Sequence, residues 1–209
     1  MKIIDLTHLI KPDIAVFPGT EKPIFQKIDI EGYRELKMTF YTHTGTHIDA
    51  PYHIIRGTKT LDDFTPDKFI GRGFVINCKE VGNQKITKEF LAPYTENISR
   101  TSFLLLNSGW SAKWNSPEYF NNFPTLTKEA AEWLSSFRLN GIGLDTISLD
   151  TVSDMTLPNH HIVLRKEILI IENLTNLDIL PNEGFMFQCL PMKIEKADGS
   201  PVRAIAIMD

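Results

Sequence analysis

Over its first third the chain sets short apolar runs between glycine, proline and charged turns; beyond Gly73 the apolar positions take up alternating strand and helix periods. Residues 2–9 read as a strand, and 24–30 and 34–42 as two more, joined at Glu31-Gly32. Between them, Lys11 to Pro23 is broken by proline and glycine and contains Phe17-Pro18-Gly19, a loop able to frame a pocket. Next come an apolar strand at 73–79, a helix at 87–92 capped by Thr87, and the buried-strand run 102–107, together a β-α-β unit. The clearest helix is 128–139, with Thr127 as N-cap, an inward stripe of Ala130, Ala131, Leu134 and Phe137, and Asn140-Gly141 as its stop. Residues 141–145 form a strand, 159–166 a short helix behind Pro158, and 168–171 an apolar strand. Strands at 184–194 and 202–208 close the chain around Ala-Asp-Gly-Ser-Pro, read as a turn. The pattern predicts an α/β fold in one domain, 1–209, whose mixed sheet contains parallel β-α-β units.

Parallel sheets place ligands beyond the carboxyl ends of their strands, so the polar residues that follow the apolar runs carry weight. These are Asn107-Ser108, Asp145-Thr146 and Glu172-Asn173. Glu172 is the most informative, because a carboxylate directly after four apolar strand residues is costly to bury unless it is paired or bound to metal. Asp145 and Asp150 are expected to organise loops. His160 and His161 open a predicted helix at the same edge, and one of the two is a candidate partner for Glu172 at an ion.

The densest chemistry lies in residues 43–53, His-Thr-Gly-Thr-His-Ile-Asp-Ala-Pro-Tyr-His, which hold three of the chain's six histidines and an aspartate. Imidazole nitrogen and carboxylate oxygen suit zinc, manganese or iron, and a set without thiolates matches catalytic rather than structural zinc sites. Glycine, threonines and proline argue against a helix here. In an extended chain His43, Gly45, His47 and Asp49 point to one side. A straight strand would hold His43 and His47 roughly 13 Å apart, at about 3.3 Å per residue, so a bend at Gly45 is expected to bring both onto one ion, with the missing side chain clearing the way for the imidazoles. Pro51 fixes the exit from this segment, and His53, presented beyond it near the site, is the candidate proton shuttle.

At 209 residues, 42% hydrophobic and 23% charged, the composition is that of an ordinary globular protein. A net charge of −4 without a basic cluster excludes general attraction to nucleic acid and points to a small-molecule substrate. Cys78 and Cys189 form no metal or disulfide pattern, which fits a reducing compartment. Asp5 and His8 interrupt any signal-peptide core, and no run has the length of a membrane span, so a cytoplasmic protein without a membrane partner is expected.

The motif His-x-Gly-Thr-His-x-Asp-Ala-Pro-x-His resembles the signature of the cyclase-family metal-dependent hydrolases, which include bacterial kynurenine formamidases and isatin hydrolases. Phe-Pro-Gly at 17–19, Asn-Ser-Gly-Trp at 107–110, Gly-Leu-Asp-Thr-Ile-Ser-Leu-Asp at 143–150, Ile-Ile-Glu-Asn-Leu at 170–174 and Ala-Asp-Gly-Ser-Pro-Val-Arg-Ala at 197–204 look like further family segments. The resemblance implies His43, His47 and Asp49 as ligands of a first ion, with Asp49 able to bridge to a second held by His160 and Glu172. It selects His160 over His161 because the family places its histidine twelve positions before the glutamate. It further implies His53 as the acid/base, a swivelling β/β/α fold, one or two ions of zinc or manganese, and a homodimer or larger oligomer. Phe17 stands where kynurenine formamidases typically carry tryptophan; it and Trp110 are the candidate residues for stacking on a planar substrate. The expected reaction is hydrolysis of an amide, formamide or cyclic amide by metal-activated water. The competing readings are a metal-dependent cyclase or dehydratase acting on a polyketide-like molecule, and a non-enzymatic metal-dependent binding module; no G-x-S-x-G elbow supports a serine hydrolase.

Overall fold

The computed structural model describes residues 1–208. Its strands are β1 (Lys2–Asp5), β2 (Ile24–Ile30), β3 (Tyr33–Thr39), β4 (His47–Asp49), β5 (Ile70–Asn77), β6 (Phe103–Asn107), β7 (Gly141–Leu144), β8 (Leu169–Glu172), β9 (Phe185–Gln188), β10 (Gly199–Pro201) and β11 (Ile205–Met208). Its helices are α1 (Lys88–Leu91), α2 (Thr95–Ser99), α3 (Lys128–Leu134) and α4 (Pro158–Leu164). Nine strands form one mixed sheet in the order β1-β11-β9-β5-β6-β7-β8-β4-β10, in which β5 to β8 are parallel and the flanking strands antiparallel. The β2–β3 hairpin stands apart as a two-stranded sheet.

Period-two alternation explains the layering. Phe74, Ile76, Leu104, Leu106, Ile142 and Ile170 pack beneath the helices with Leu91, Ala130, Ala131, Leu134, Val163 and Leu164. The alternate residues, Val75, Phe103, Leu105, Leu169 and Ile171, turn the other way and meet Phe185, Phe187 and Ala206. Ile4 and Ile48, from strands near opposite ends of the sheet, share this second cluster because the sheet curls around it. The segment after β1 fastens the curl: Leu6 N–H donates to the Ala204 carbonyl at 2.9 Å, Thr175 N–H donates to Leu6 at 3.0 Å, and Thr7 bridges Leu174. That crossing is why β1 stops at Asp5 instead of running to residue 9.

The strands expected over 34–42 and 184–194 end at Thr39 and Gln188, and two further differences from the pattern have a local reason. The helix expected over 128–139 ends at Leu134, where Ser136 Oγ turns back onto the Trp133 carbonyl at 2.6 Å and the chain swings round to place Asn140 N–H on Ser102 at 2.7 Å. Ala-Asp-Gly-Ser-Pro, read as a turn, supplies β10: Gly199, Ser200 and Pro201 pair with Asp49, Ile48 and His47. β10 is the outermost strand, where a proline without N–H is tolerated. Among the described residues no helix is long and apolar enough to cross a membrane.

Candidate metal centre

β4 and β8 build the floor of the site. They pair so that His47 lies opposite Glu172, and strand alternation puts Asp49 on the same side as His47. Gly45 turns the chain just before β4 with φ +67°, a conformation that favours glycine, and the turn brings the His43 ring to 5.1 Å from that of His47. The expected bend is present, but its reason differs from imidazole clearance: a Cβ at Gly45 would meet Ile10 and Ile14, not the histidines. Gly199 of β10 performs the clearance instead, since a Cβ there would stand 2.6 Å from His43 Cε1. Asn173 fixes the turn from below, its amide donating to the Gly45 carbonyl at 2.8 Å while its own oxygen accepts the Tyr119 hydroxyl at 2.8 Å.

α4 delivers the remaining imidazole. Asp150 accepts the backbone N–H groups of Asn159 and His160, each at 3.0 Å, and bonds His160 Nδ1 at 2.7 Å, so one carboxylate holds both the helix start and the ring. It is His160, not His161, that reaches Glu172, with Nε2 to Oε1 at 3.3 Å. His47 is oriented likewise: its Nδ1–H donates to the Gly45 carbonyl at 2.8 Å, and its Nε2 faces Asp49 Oδ1 at 3.4 Å and Glu172 Oε2 at 3.5 Å. Imidazoles held through Nδ1 with Nε2 turned inward have the arrangement of metal ligands whose tautomer and ring orientation are fixed by a hydrogen bond at the far nitrogen.

The spacings fit ions. At metal–ligand lengths of about 2.1 Å, tetrahedral donors lie about 3.4 Å apart; the inward contacts above are 3.3–3.5 Å, and His160 Nε2 to Asp49 Oδ2 is 3.9 Å. Among the described residues three sets of donor atoms each fall within 4.8 Å: His43, His47 and Asp49; Asp49, His160 and Glu172, which shares Asp49 with the first; and the less buried His43, His53 and Asp198. His47, Asp49, His160 and Glu172 are all at most 5% exposed, a concentration of buried charge that needs a counter-ion.

Protonation follows the same logic. Burial opposes a charged His43, yet Asp49 at 2.7 Å and Asp198 at 3.0 Å hold it up at about 10. Against its own burial, His160 is raised to about 10 by Asp150 and Glu172. Burial lowers His47, and Asp49 is held well below the carboxylate range by His43 and His47 although burial pushes the other way. Protons on His43 and His160 thus occupy the place of cations and must leave when an ion enters.

The centre opens into a cavity of about 440 Å³ walled by Phe17, Tyr41, Ile147, Met155 and Leu157. His53 stands at its side on the Pro51–His53 turn, its ring 3.9 Å from that of His43 and its Nδ1 3.3 Å from Asp198 Oδ2. Trp110 is not brought to the cavity: its indole N–H donates to the Tyr119 carbonyl at 3.0 Å, and its ring lies in an apolar cluster with Tyr119, Phe123 and Ile147, against which Phe17 packs. The sequence reading missed Asp198, which hydrogen-bonds both His43 and His53. Asp-Gly signals a turn, and the available clue was that 197–204 resembles a family segment.

The profile of the family described as Putative cyclase matches residues 4–151. A kynurenine formamidase from Bacillus anthracis is 32% identical over 98% of this chain and 96% of its own, and one from Bordetella avium is 29% identical over 98% and 97%. Among solved structures, isatin hydrolase A from Ralstonia solanacearum superposes with a TM-score of 0.88 at 26% identity, covering 100% of this chain and 92% of its own. Its curled mixed sheet, its pair of histidine and carboxylate sets and these likenesses converge on one conclusion: the chain belongs to the cyclase family.

Proposed function

We propose that the protein is a metal-dependent hydrolase that opens the carbon–nitrogen bond of a small aromatic amide, formamide or cyclic amide. The observation that carries this reading is the pair of donor sets sharing Asp49 at the floor of an apolar-walled cavity, with His53 beside them. Divalent ions, zinc or manganese by donor chemistry, held by His43, His47 and Asp49 and by Asp49, His160 and Glu172, would supply Lewis-acid polarisation of the carbonyl and a water acidified towards neutral pH. His53 lies outside both of those sets, in a less buried grouping with His43 and Asp198, and lines the cavity, which suits it to pass a proton to the nitrogen as the carbon–nitrogen bond breaks. Phe17 and Ile147 offer apolar surface to an aromatic ring, and none of the lining residues is a lysine or arginine, which favours a neutral substrate. The names of the relatives, kynurenine formamidase and isatin hydrolase, support hydrolysis over dehydrative ring closure. The buried free thiols Cys78 and Cys189 favour a cytoplasmic setting, and exposed Ile24, Ile30, Leu36 and Met38 on the hairpin favour a homo-oligomer.

The test is turnover of formanilides, cyclic aryl amides and aryl lactones in 18O-labelled water, by protein stripped of metal and reloaded with zinc or manganese. The expected result is metal-dependent incorporation of one labelled oxygen into the carboxylate product of a nitrogen-containing substrate. Products free of label, or no turnover with either metal, would overturn the reading.

A further inference from the structure

We infer that Asp198 is a positioning residue that sets the tautomers of His53 and His43 and so divides the two rings between proton transfer and metal binding. The inference rests on the roles proposed for those histidines. One oxygen, Asp198 Oδ2, serves both rings, at 3.0 Å from His43 Nε2 and 3.3 Å from His53 Nδ1. The second, Oδ1, accepts the Thr42 hydroxyl at 2.9 Å, and the Asp198 carbonyl accepts Ala50 N–H at 2.8 Å, so the carboxylate is fixed from two sides. A residue that merely shaped the turn would spend its side chain on nearby backbone N–H groups; Asp198 has Thr42, His43 and His53 as its side-chain partners, all more than a hundred residues away in sequence.

An ionised carboxylate only accepts, so each facing nitrogen must carry its hydrogen. For His43 that places a proton on Nε2; Nδ1, which faces Asp49 at 2.7 Å and carries a proton of its own in the metal-free protein, is then the nitrogen that would give up its proton to bind an ion. For His53 it assigns the proton to Nδ1 and leaves Nε2 as the nitrogen that exchanges a proton with substrate. The rings lie 3.9 Å apart at 34°, so neither can turn over without displacing the other. The register that places Gly199 opposite Asp49 carries Asp198 to this position, one residue before the strand begins.

The test compares Asp198→Ala and Asp198→Asn with the natural protein, all saturated with zinc. Histidine nitrogen-15 NMR reads the tautomers in the resting protein, and kinetics read kcat and KM. We expect His53 Nδ1–H in the natural protein, loss of that single tautomer in Asp198→Ala, and its retention in Asp198→Asn, whose amide oxygen still accepts. Outer-shell partners of this kind typically contribute 10–100-fold, so kcat should fall by about that factor in Asp198→Ala with KM changed less than about threefold, and recover in part in Asp198→Asn. An unchanged His53 tautomer in Asp198→Ala would overturn the inference, as would loss of one zinc per chain at saturation, which would make Asp198 a ligand in the His43, His53 and Asp198 grouping. Should the natural protein hydrolyse no amide, the hydrolase reading fails while the tautomer measurement still decides the role of Asp198.

Discussion

Gly199→Ala is a one-carbon probe of the centre. The added Cβ would stand 2.6 Å from His43 Cε1 and 2.8 Å from Nε2, and restoring an ordinary 3.4 Å contact moves the ring by about 0.8 Å. The backbone offers no objection, because Gly199 lies in β10 and is not among the residues with positive φ. The ring cannot move freely: Asp49 holds one edge at 2.7 Å, Asp198 the other at 3.0 Å, and His53 lies against its face. Overpacking costs about 1–3 kcal/mol, and a hydrogen bond to a charged group contributes about 1.5–3 kcal/mol. A loss of about 3 kcal/mol follows, which for a chain of this size lowers the Tm of the metal-free protein by roughly 6–12 °C. Thermal unfolding of Gly199→Ala, His43→Ala and the double variant forms a mutant cycle. If the clash is with His43, Gly199→Ala should cost little once the ring is gone. An equal Tm loss in both backgrounds would refute the reasoning. Metal affinity should fall with stability in the single variant, since the ring that retreats is a proposed ligand.

Four further outcomes are expected. His53→Ala should keep its metal and lose most turnover whereas His47→Ala loses the metal, and full turnover by a folded His53→Ala protein would remove the acid/base role. His43 and His160 are raised from 6.5 to about 10 in the metal-free fold, so their protons stabilise it fully below pH 6.5 and progressively less as the pH rises to 10. The metal-free Tm should fall across that window, and a flat or rising profile would contradict the assigned ion pairs. Asn173→Ala removes the donor to the Gly45 carbonyl and the acceptor for Tyr119, and should weaken metal binding about 10–100-fold without unfolding the protein; unchanged affinity in a metal titration would show that the turn holds itself. A neutral aryl formamide should exceed an N-formyl aryl amide carrying a free carboxylate by about tenfold in kcat/KM, roughly 1.4 kcal/mol, and equal values would show that the cavity accepts the added negative charge.

The first donor set was legible because it is local: His43, His47 and Asp49 lie within one short segment, and strand alternation with a glycine bend is enough to aim them. The parallel core was legible for the same reason, its strands being continuous apolar runs. Glu172 was legible as a carboxylate directly after four apolar strand residues, but the choice of His160 needed the resemblance, since nothing in periodicity alone separates it from His161; in the structure Asp150 makes the choice by gripping one ring. Asp198 was hidden because Asp-Gly-Ser-Pro has the local chemistry of a turn, and its pairing with β4 is a long-range event. Trp110, offered with Phe17 for stacking on a planar substrate, lies instead in the apolar cluster against which Phe17 packs, its indole N–H on a backbone partner.

The most direct test is titration of chelator-stripped protein with zinc or manganese while hydrolysis of a formanilide is followed. Turnover should be absent without metal and should rise to saturation at one or two equivalents per chain. Full turnover by the metal-free protein, or none with the ions bound, would contradict the account.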